Sequence, residues 1–222
     1  MENNNLRLDY LPNHPEIKIY QHKKMIKINT DTQVLGEFIK VNSNETILDI
    51  GTNTGALLLY ANMFKPKKLI GLDINNEALE VCKLNMEYHN ITNYELICAD
   101  AMTYVGEEVD VIVCNPPYFK TDENNKSNDK FLNLAKHESE FCLEGMIKTA
   151  YKNLKLNGKF YMLFTSQRLS EVILLLNKYH FEVKVMKFVY DENKEYSNVF
   201  MVKAVKYGLS GMFVEKPIII TR

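Results

Sequence analysis

The chain has no tryptophan, no long apolar run and almost no net charge, and each absence removes a class of protein. Its 222 residues carry a formal charge of −1, which argues against a uniformly basic nucleic-acid binder. No apolar stretch approaches the roughly 20 residues of a membrane-spanning helix. The opening MENNNLRLDYLPNHPEIK lacks the apolar centre of a secretory signal. Cysteine is scarce too. Cys82, Cys98, Cys114 and Cys142 form no CxxC pair and have no histidine at zinc-finger spacing, so neither a metal site nor a disulfide framework is expected. They read as reduced, buried cysteines of a cytoplasmic protein. The missing tryptophan, beside abundant Asn and Lys, reads as nucleotide bias in the coding genome and carries no chemistry.

What is present is uneven in charge and regular in pattern. Residues 1–30 hold five basic against three acidic side chains, and residues 203–222 hold four against one. Both ends can therefore contribute to a basic face. Apolar strands alternate with amphipathic helices from residue 46 onward. TILDI (46–50), KLIGLDI (68–74), YELICAD (94–100), DVIVCN (110–115) and KFYMLFT (159–165) read as strands. In the helix EALEVCKLNMEYHN, Ala78, Val81, Cys82, Asn85 and Met86 recur at three- and four-residue spacing, giving one face to pack on a sheet. Thr30 is the expected cap of DTQVLGEFIK, Asn75 or Asn76 of the helix at 77, and Ser166 of QRLSEVILLLNKYH. A helix around 139–154 should end at Asn157-Gly158. IKIY (17–20) and KMIKI (24–28) read as a short hairpin, and 181–190 with 198–206 as an antiparallel pair. Loop 120–130 is almost wholly polar and is expected to be mobile. The pattern predicts a doubly wound, mostly parallel α/β sheet with helices on both faces and an antiparallel C-terminal hairpin.

The chemistry gathers at strand ends. GTNTG follows the first sheet strand, where Gly51 and Gly55 let the chain turn and a ligand approach. Asp49 closes that strand, Asp73 ends the next 24 residues later, and Asp100 ends the third. A dinucleotide would favour G-x-G-x-x-G, and an anionic Asp49 is a poor neighbour for pyrophosphate. A cationic, amino-bearing ligand fits better, and S-adenosylmethionine has both a sulfonium and an α-amino group. Asp73 would then accept from ribose hydroxyls and Asp100 from an adenine amino group.

The fourth strand runs into Asn115-Pro116-Pro117-Tyr118. Proline stops the strand and holds Asn115 extended at its carboxyl end. An exocyclic amine on an aromatic ring is a poor nucleophile because its lone pair is delocalised. Two acceptors aimed at its N–H bonds would localise that pair, and the Asn115 side-chain carbonyl and the Pro116 backbone carbonyl supply them. Tyr118 offers a face for the base to stack on, worth about 1–3 kcal/mol.

Taken in order, ILDIGTNTG, GLDI, CAD and VIVCNPPYF resemble the class I S-adenosylmethionine-dependent methyltransferases that methylate amino groups. INTDTQVLGEFI, AKHE, LKLNGKFYMLF and VFMVKAVKYG narrow the likeness, over roughly residues 17–220, to the bacterial tRNA1(Val) adenine-N6-methyltransferases, which modify the adenosine 3′ of the anticodon. The resemblance implies a Rossmann-like, seven-stranded sheet. It implies an N-terminal extension (1–40), a hairpin and helix closing the cofactor pocket, before a methyltransferase domain (41–222). It places Asp49, Gly51 and Gly55 at the methionine part of the cofactor, Asp73 with Ile74 at the ribose, and Asp100 with Ala101 at the adenine. Thr30-Asp31 would close the pocket, and Asn115, Pro116, Pro117 and Tyr118 would take the target base. Asn53 departs from the family, standing where a third glycine is common. The expected partner is the anticodon stem-loop of a tRNA, held by the basic hairpin, loop 120–130 and the C-terminal lysines, with neither metal nor membrane involved.

Other substrates share the same four residues. A glutamine methyltransferase of the release-factor type usually carries an N-terminal helical domain, for which about 40 residues leave too little room. A DNA adenine enzyme would need a target-reading domain. A ribosomal guanine-N2 enzyme is a nearer competitor. A non-catalytic cofactor-binding RNA module has no need of an intact Asn-Pro-Pro-Tyr.

Overall fold

Strands that are apolar on both faces decide how the layers form. The computed structural model describes residues 5–116 and 143–221. An antiparallel hairpin, β1 (Leu6–Leu11) and β2 (His14–His22), leads into α1 (Thr30–Phe38). There follow β3 (Thr46–Ile50), α2 (Ala56–Asn62), β4 (Lys68–Asp73), α3 (Asn76–Tyr88), β5 (Tyr94–Cys98) and β6 (Val109–Cys114). Beyond residue 142 come α4 (Leu143–Asn153), β7 (Leu154–Thr165), a 3-10 turn at Ser166–Arg168, α5 (Leu169–Lys178), β8 (Phe181–Asp191) and β9 (Val199–Lys206). Two short strands, β10 (Phe213–Val214) and β11 (Ile218–Ile220), complete the described chain.

The main sheet runs β10-β8-β9-β7-β6-β3-β4-β5, with β11 also pairing to β8. Strands β3 to β7 pair in parallel, and β9 is antiparallel between β7 and β8. The expected seven strands are all present. Two further short strands lie parallel to β8 at its free edge, too short to show as an apolar alternation.

Because successive side chains point to opposite faces, Ile47, Leu69, Val111 and Val113 share one core with α1, α2 and α3. Leu48, Ile70, Leu72 and Ile112 share the other with α4 and α5. Each fully buried aliphatic side chain contributes roughly 1.5–3 kcal/mol, so strands apolar on both faces are held between two helical layers. The helix α3 buries Ala78, Val81, Cys82, Asn85 and Met86 as its spacing requires. No described helix is long and apolar enough to cross a membrane.

Several local expectations are corrected. The hairpin lies earlier, turning at Pro12-Asn13 with Asn13 at φ +64. Residues 24–28 are not a strand, because Met25 is buried alone and the Ile28 amide donates to the Gln21 side chain at 2.8 Å. Asn29, not Thr30, caps α1, and Asn75 caps α3. Ser166 caps no helix, and its hydroxyl instead meets that of Ser197 at 2.9 Å. Helix α4 ends at Asn153, and Asn157, at φ +61, belongs to an irregularity at the start of β7. Cys82 and Cys114 are buried, whereas Cys98, at the end of edge strand β5, is exposed. Cys142 and loop 120–130 lie outside the described residues.

Candidate active site

Register brings the two sequence motifs side by side. Ile50 of β3 pairs with Cys114 of β6, so Gly51 and Asn115, the next residue of each strand, leave the sheet from adjacent strands at the same edge. β4 and β5 follow on the other side, with Asp73 opposite Cys98. The carboxyl ends of β6, β3, β4 and β5 thus present Asn115, Asp49, Asp73 and Asp100 along one rim, the usual ligand edge of an open α/β sheet.

The loop after β3 is a built cradle. The amides of Gly51 and Thr52 both donate to the carbonyl of Leu72, at 2.8 and 3.0 Å. Gly51 has φ +76, and a Cβ built on it would meet nothing within 4 Å. Gly55, at φ +84, is different: a Cβ there would sit 2.5 Å from the Cys82 Sγ. Gly51 therefore leaves room above the sheet, and Gly55 lets α2 pack against α3. Asn53 takes the left-handed conformation at φ +49, which Asn tolerates better than most residues. Its amide donates to Asp73 Oδ2 at 2.8 Å, and its side chain donates to the Ile26 carbonyl at 2.8 Å. The departure from glycine thus fastens the N-terminal segment to the loop.

Asp49 is fully buried, and its two oxygens and the Thr52 hydroxyl have no hydrogen-bond partner among the described residues. A buried carboxylate without donors is costly. Burial pushes its pKa up to about 7, the neighbouring Thr52 hydroxyl lowers it, and the Asp73 charge adds to the rise. Such a group is completed by a ligand that brings a cationic donor. Asp73 is raised by burial and pulled back by the backbone amides of Asn75, Asn53 and Ile74. Its Oδ1 accepts from Asn75 at 2.9 Å, and carboxylate lone pairs remain for hydroxyl donors. Ile74 is 56% exposed on the rim. Asp100 is exposed, accepting from the Met102 amide at 2.8 Å, while Ala101 is buried and its carbonyl accepts from Thr149 of α4 at 2.7 Å.

From the other side, the first turn of α1 reaches the residue that follows β6. Thr30 and Asp31 form its first turn, and the contact with the motif comes one residue later: the Asn115 amide donates to the Thr32 hydroxyl at 3.4 Å. Pro116 is buried beside it. Pro117 and Tyr118 lie outside the described residues. Sequence reading misses Asn29 and Thr32, and it marks Asn53 and Asn85 without the hydrogen bonds they make. An Asn three residues before a Thr at a helix start was the visible signal for the first two. Asn85 was noted only as part of an apolar face, yet its amide donates to the Thr54 carbonyl of the glycine loop at 2.9 Å.

A parallel sheet with one antiparallel strand between its last two, a glycine turn after its first and carboxylates at successive strand ends defines a class I methyltransferase. The same fold is found in a predicted O-methyltransferase from Agrobacterium tumefaciens, at TM-score 0.66 and 16% identity, over 85% of this chain and 86% of that one. The chain belongs to the methyltransferase small domain family, whose model matches residues 19–190. It is similar to the tRNA1(Val) (adenine(37)-N6)-methyltransferase of Shewanella halifaxensis, 28% identical over 69% of this chain and 63% of that protein. The enzyme of the same name from Cytophaga hutchinsonii is also 28% identical, over 79% of this chain and 75% of its own length.

Proposed function

We propose that the protein transfers a methyl group from S-adenosylmethionine to N6 of an adenosine in a tRNA anticodon loop, the adenosine 3′ of the anticodon of tRNA1(Val). The observation that carries this reading is the placement of Asn115 beside the β3 loop, where Ile50 pairs with Cys114. An amine held by Asn115 faces a ligand held by Asp49 and Gly51.

The residues fit the cofactor. Unpartnered Asp49 suits its amino group, open space at Gly51 suits its close approach, and Asp73 suits its ribose. Asp100 with Ala101 holds the adenine, Ile74 stands beside Asp73 at the ribose, and the α1 start at Thr30-Asp31 closes the pocket. Bound there, the cofactor supplies an electrophilic methyl group. The chain's own work is to grip the acceptor: Asn115 Oδ1 and the Pro116 carbonyl accept from its N–H bonds and localise the nitrogen lone pair, Tyr118 stacks on the base, and the proton leaves to water. A loop adenosine is cheap to unstack, which favours an anticodon loop over a duplex. The basic residues of the N-terminal hairpin region, with Lys203 and Lys216 near the C-terminus, hold the RNA backbone, so binding weakens with salt; Lys206 is buried against the end of α4 and takes no part.

The test is a methyl-transfer panel: labelled S-adenosylmethionine with unmodified bulk tRNA, ribosomal RNA, duplex DNA and a release factor, each digested after reaction. Label in N6-methyladenosine from tRNA supports the reading. Label only in protein glutamine, in DNA or in ribosomal guanine contradicts it.

A further inference from the structure

An asparagine can hold a substrate amine only if its carbonyl, not its NH₂, faces that amine. The two ends of the amide have the same shape, so something must choose between them. The choice can be traced through three side chains whose hydrogen bonds leave a single consistent direction.

The trace starts at a group that has no choice. The backbone N–H of Thr32 can only donate, and it points at Asn29 Oδ1 at 3.0 Å. That identifies the oxygen end of Asn29. The Thr32 hydroxyl lies 3.1 Å from the same oxygen, so it must give its one proton to Asn29. Its remaining capacity is for accepting. Asn115 Nδ2, 3.4 Å away, is therefore the donor of the next, longer bond. The amide is oriented with NH₂ toward α1 and Oδ1 turned from it.

We infer that Asn29 and Thr32 are positioning residues that fix the orientation of the Asn115 amide, presenting its carbonyl oxygen to the acceptor amine. The inference rests on the reading of Asn115 as the amine-binding group. It gives α1 a role beyond covering the cofactor. It also explains why the cap of this helix is read by two donors of the same threonine: one stabilises the helix end, and the other passes the polarity on. Without the Thr32 hydroxyl, the Asn115 amide loses its tether and turns through both orientations, one of which sets an NH₂ against the substrate NH₂.

Thr32→Val removes the hydroxyl at nearly constant volume while keeping the backbone N–H that caps α1. Thr32→Ser keeps both. The first readout needs no substrate: the Asn115 side-chain NH₂ signals in a ¹H–¹⁵N spectrum, assigned by their loss in Asn115→Asp. In Thr32→Val these signals should move toward free-amide positions and exchange faster with water, and in Thr32→Ser they should stay near the wild-type ones. Unchanged signals in Thr32→Val overturn the inference. The second readout is methyl transfer, with whichever acceptor the wild-type protein uses. Thr32→Val should lower kcat about ten- to a hundredfold with the KM for S-adenosylmethionine unchanged, and Thr32→Ser should retain most of the rate. Equal losses in the two variants, or a loss carried wholly by KM, overturn it as well. Failure of the function reading shows separately, as a wild-type protein that methylates no tRNA while the amide signals still respond to Thr32→Val.

Discussion

Asn85 holds the backbone of Tyr20 from both sides, accepting from its N–H at 2.6 Å and donating to its carbonyl at 3.0 Å. The same buried amide donates to Thr54 in the glycine loop. One side chain of α3 thus ties β2 to the loop that follows β3. His89, one turn further on, adds a hydrogen bond to the Lys18 carbonyl. These bonds, together with Leu11 and Ile19 buried in the core beside α2, give the hairpin a defined place beside the loop.

Asn85→Ala should therefore be costly. It strands the part-buried N–H and carbonyl of Tyr20 and the buried carbonyl of Thr54, at up to about 1–3 kcal/mol for a group left buried without a partner. Urea unfolding should show a midpoint lowered by an amount equivalent to a few kcal/mol. The affinity for S-adenosylmethionine should fall too, because the glycine loop loses a support.

The two glycines of that loop should separate folding from binding. Gly55→Ala puts a Cβ against Cys82 in a left-handed conformation, so thermal stability should drop by the equivalent of about 2 kcal/mol or more. Gly51→Ala meets open space at φ +76. It should cost only about 1–2 kcal/mol of strain while weakening cofactor binding more than tenfold. Calorimetric binding beside thermal unfolding distinguishes the two.

Asp49 should make stability depend on pH in an unusual direction. Its folded pKa, about 7, lies above the ordinary carboxylate value because of burial. Between roughly pH 4 and 7 the folded protein holds a proton that the unfolded chain has released, so this group's contribution worsens as pH rises, and it levels off above 7. The full change is on the order of 4 kcal/mol. In Asp49→Asn that dependence should vanish, and the ligand-free variant should be the more stable of the two above pH 7. It should bind S-adenosylmethionine poorly, and wild-type binding near pH 6 should release a proton, visible by calorimetry in buffers of different ionisation enthalpy.

Lys206 supplies a control away from the site. Its buried ammonium donates to the carbonyls of Tyr151 and Leu154, at 2.7 and 2.6 Å, and lies 4.5 Å from the Tyr151 ring. It satisfies the C-terminal end of α4. Lys206→Met should destabilise the protein by about 1–3 kcal/mol, read by urea unfolding, and leave kcat and cofactor affinity unchanged.

Much of this architecture is legible in the sequence, for a physical reason. Strands buried on both faces, such as TILDI and VIVC, are continuous apolar runs, and the alternation of strand and helix leaves few ways to assemble them. The carboxylates and Asn115 fall at the carboxyl edge because they end such strands. What was not legible depends on single long-range hydrogen bonds. Gln21 turns residues 24–28 away from a strand by taking the Ile28 amide, and Asn53 replaces a glycine by anchoring Ile26. Neither leaves a periodic trace. The two edge strands β10 and β11 are set by pairing to β8 and have too few residues to show a pattern of their own.

The central claim is that Asn115 grips an adenine amine, and one measurement addresses it most directly. Wild-type protein and Asn115→Ala would be incubated with S-adenosylmethionine and an unmodified tRNA1(Val) transcript, and N6-methyladenosine quantified in the digested anticodon loop by mass spectrometry. The account predicts methylation by the wild type at the adenosine 3′ of the anticodon. It predicts a rate lower by about a hundredfold or more for Asn115→Ala, with unchanged thermal stability and cofactor affinity. An Asn115→Ala variant that methylates as fast as the wild type would contradict it.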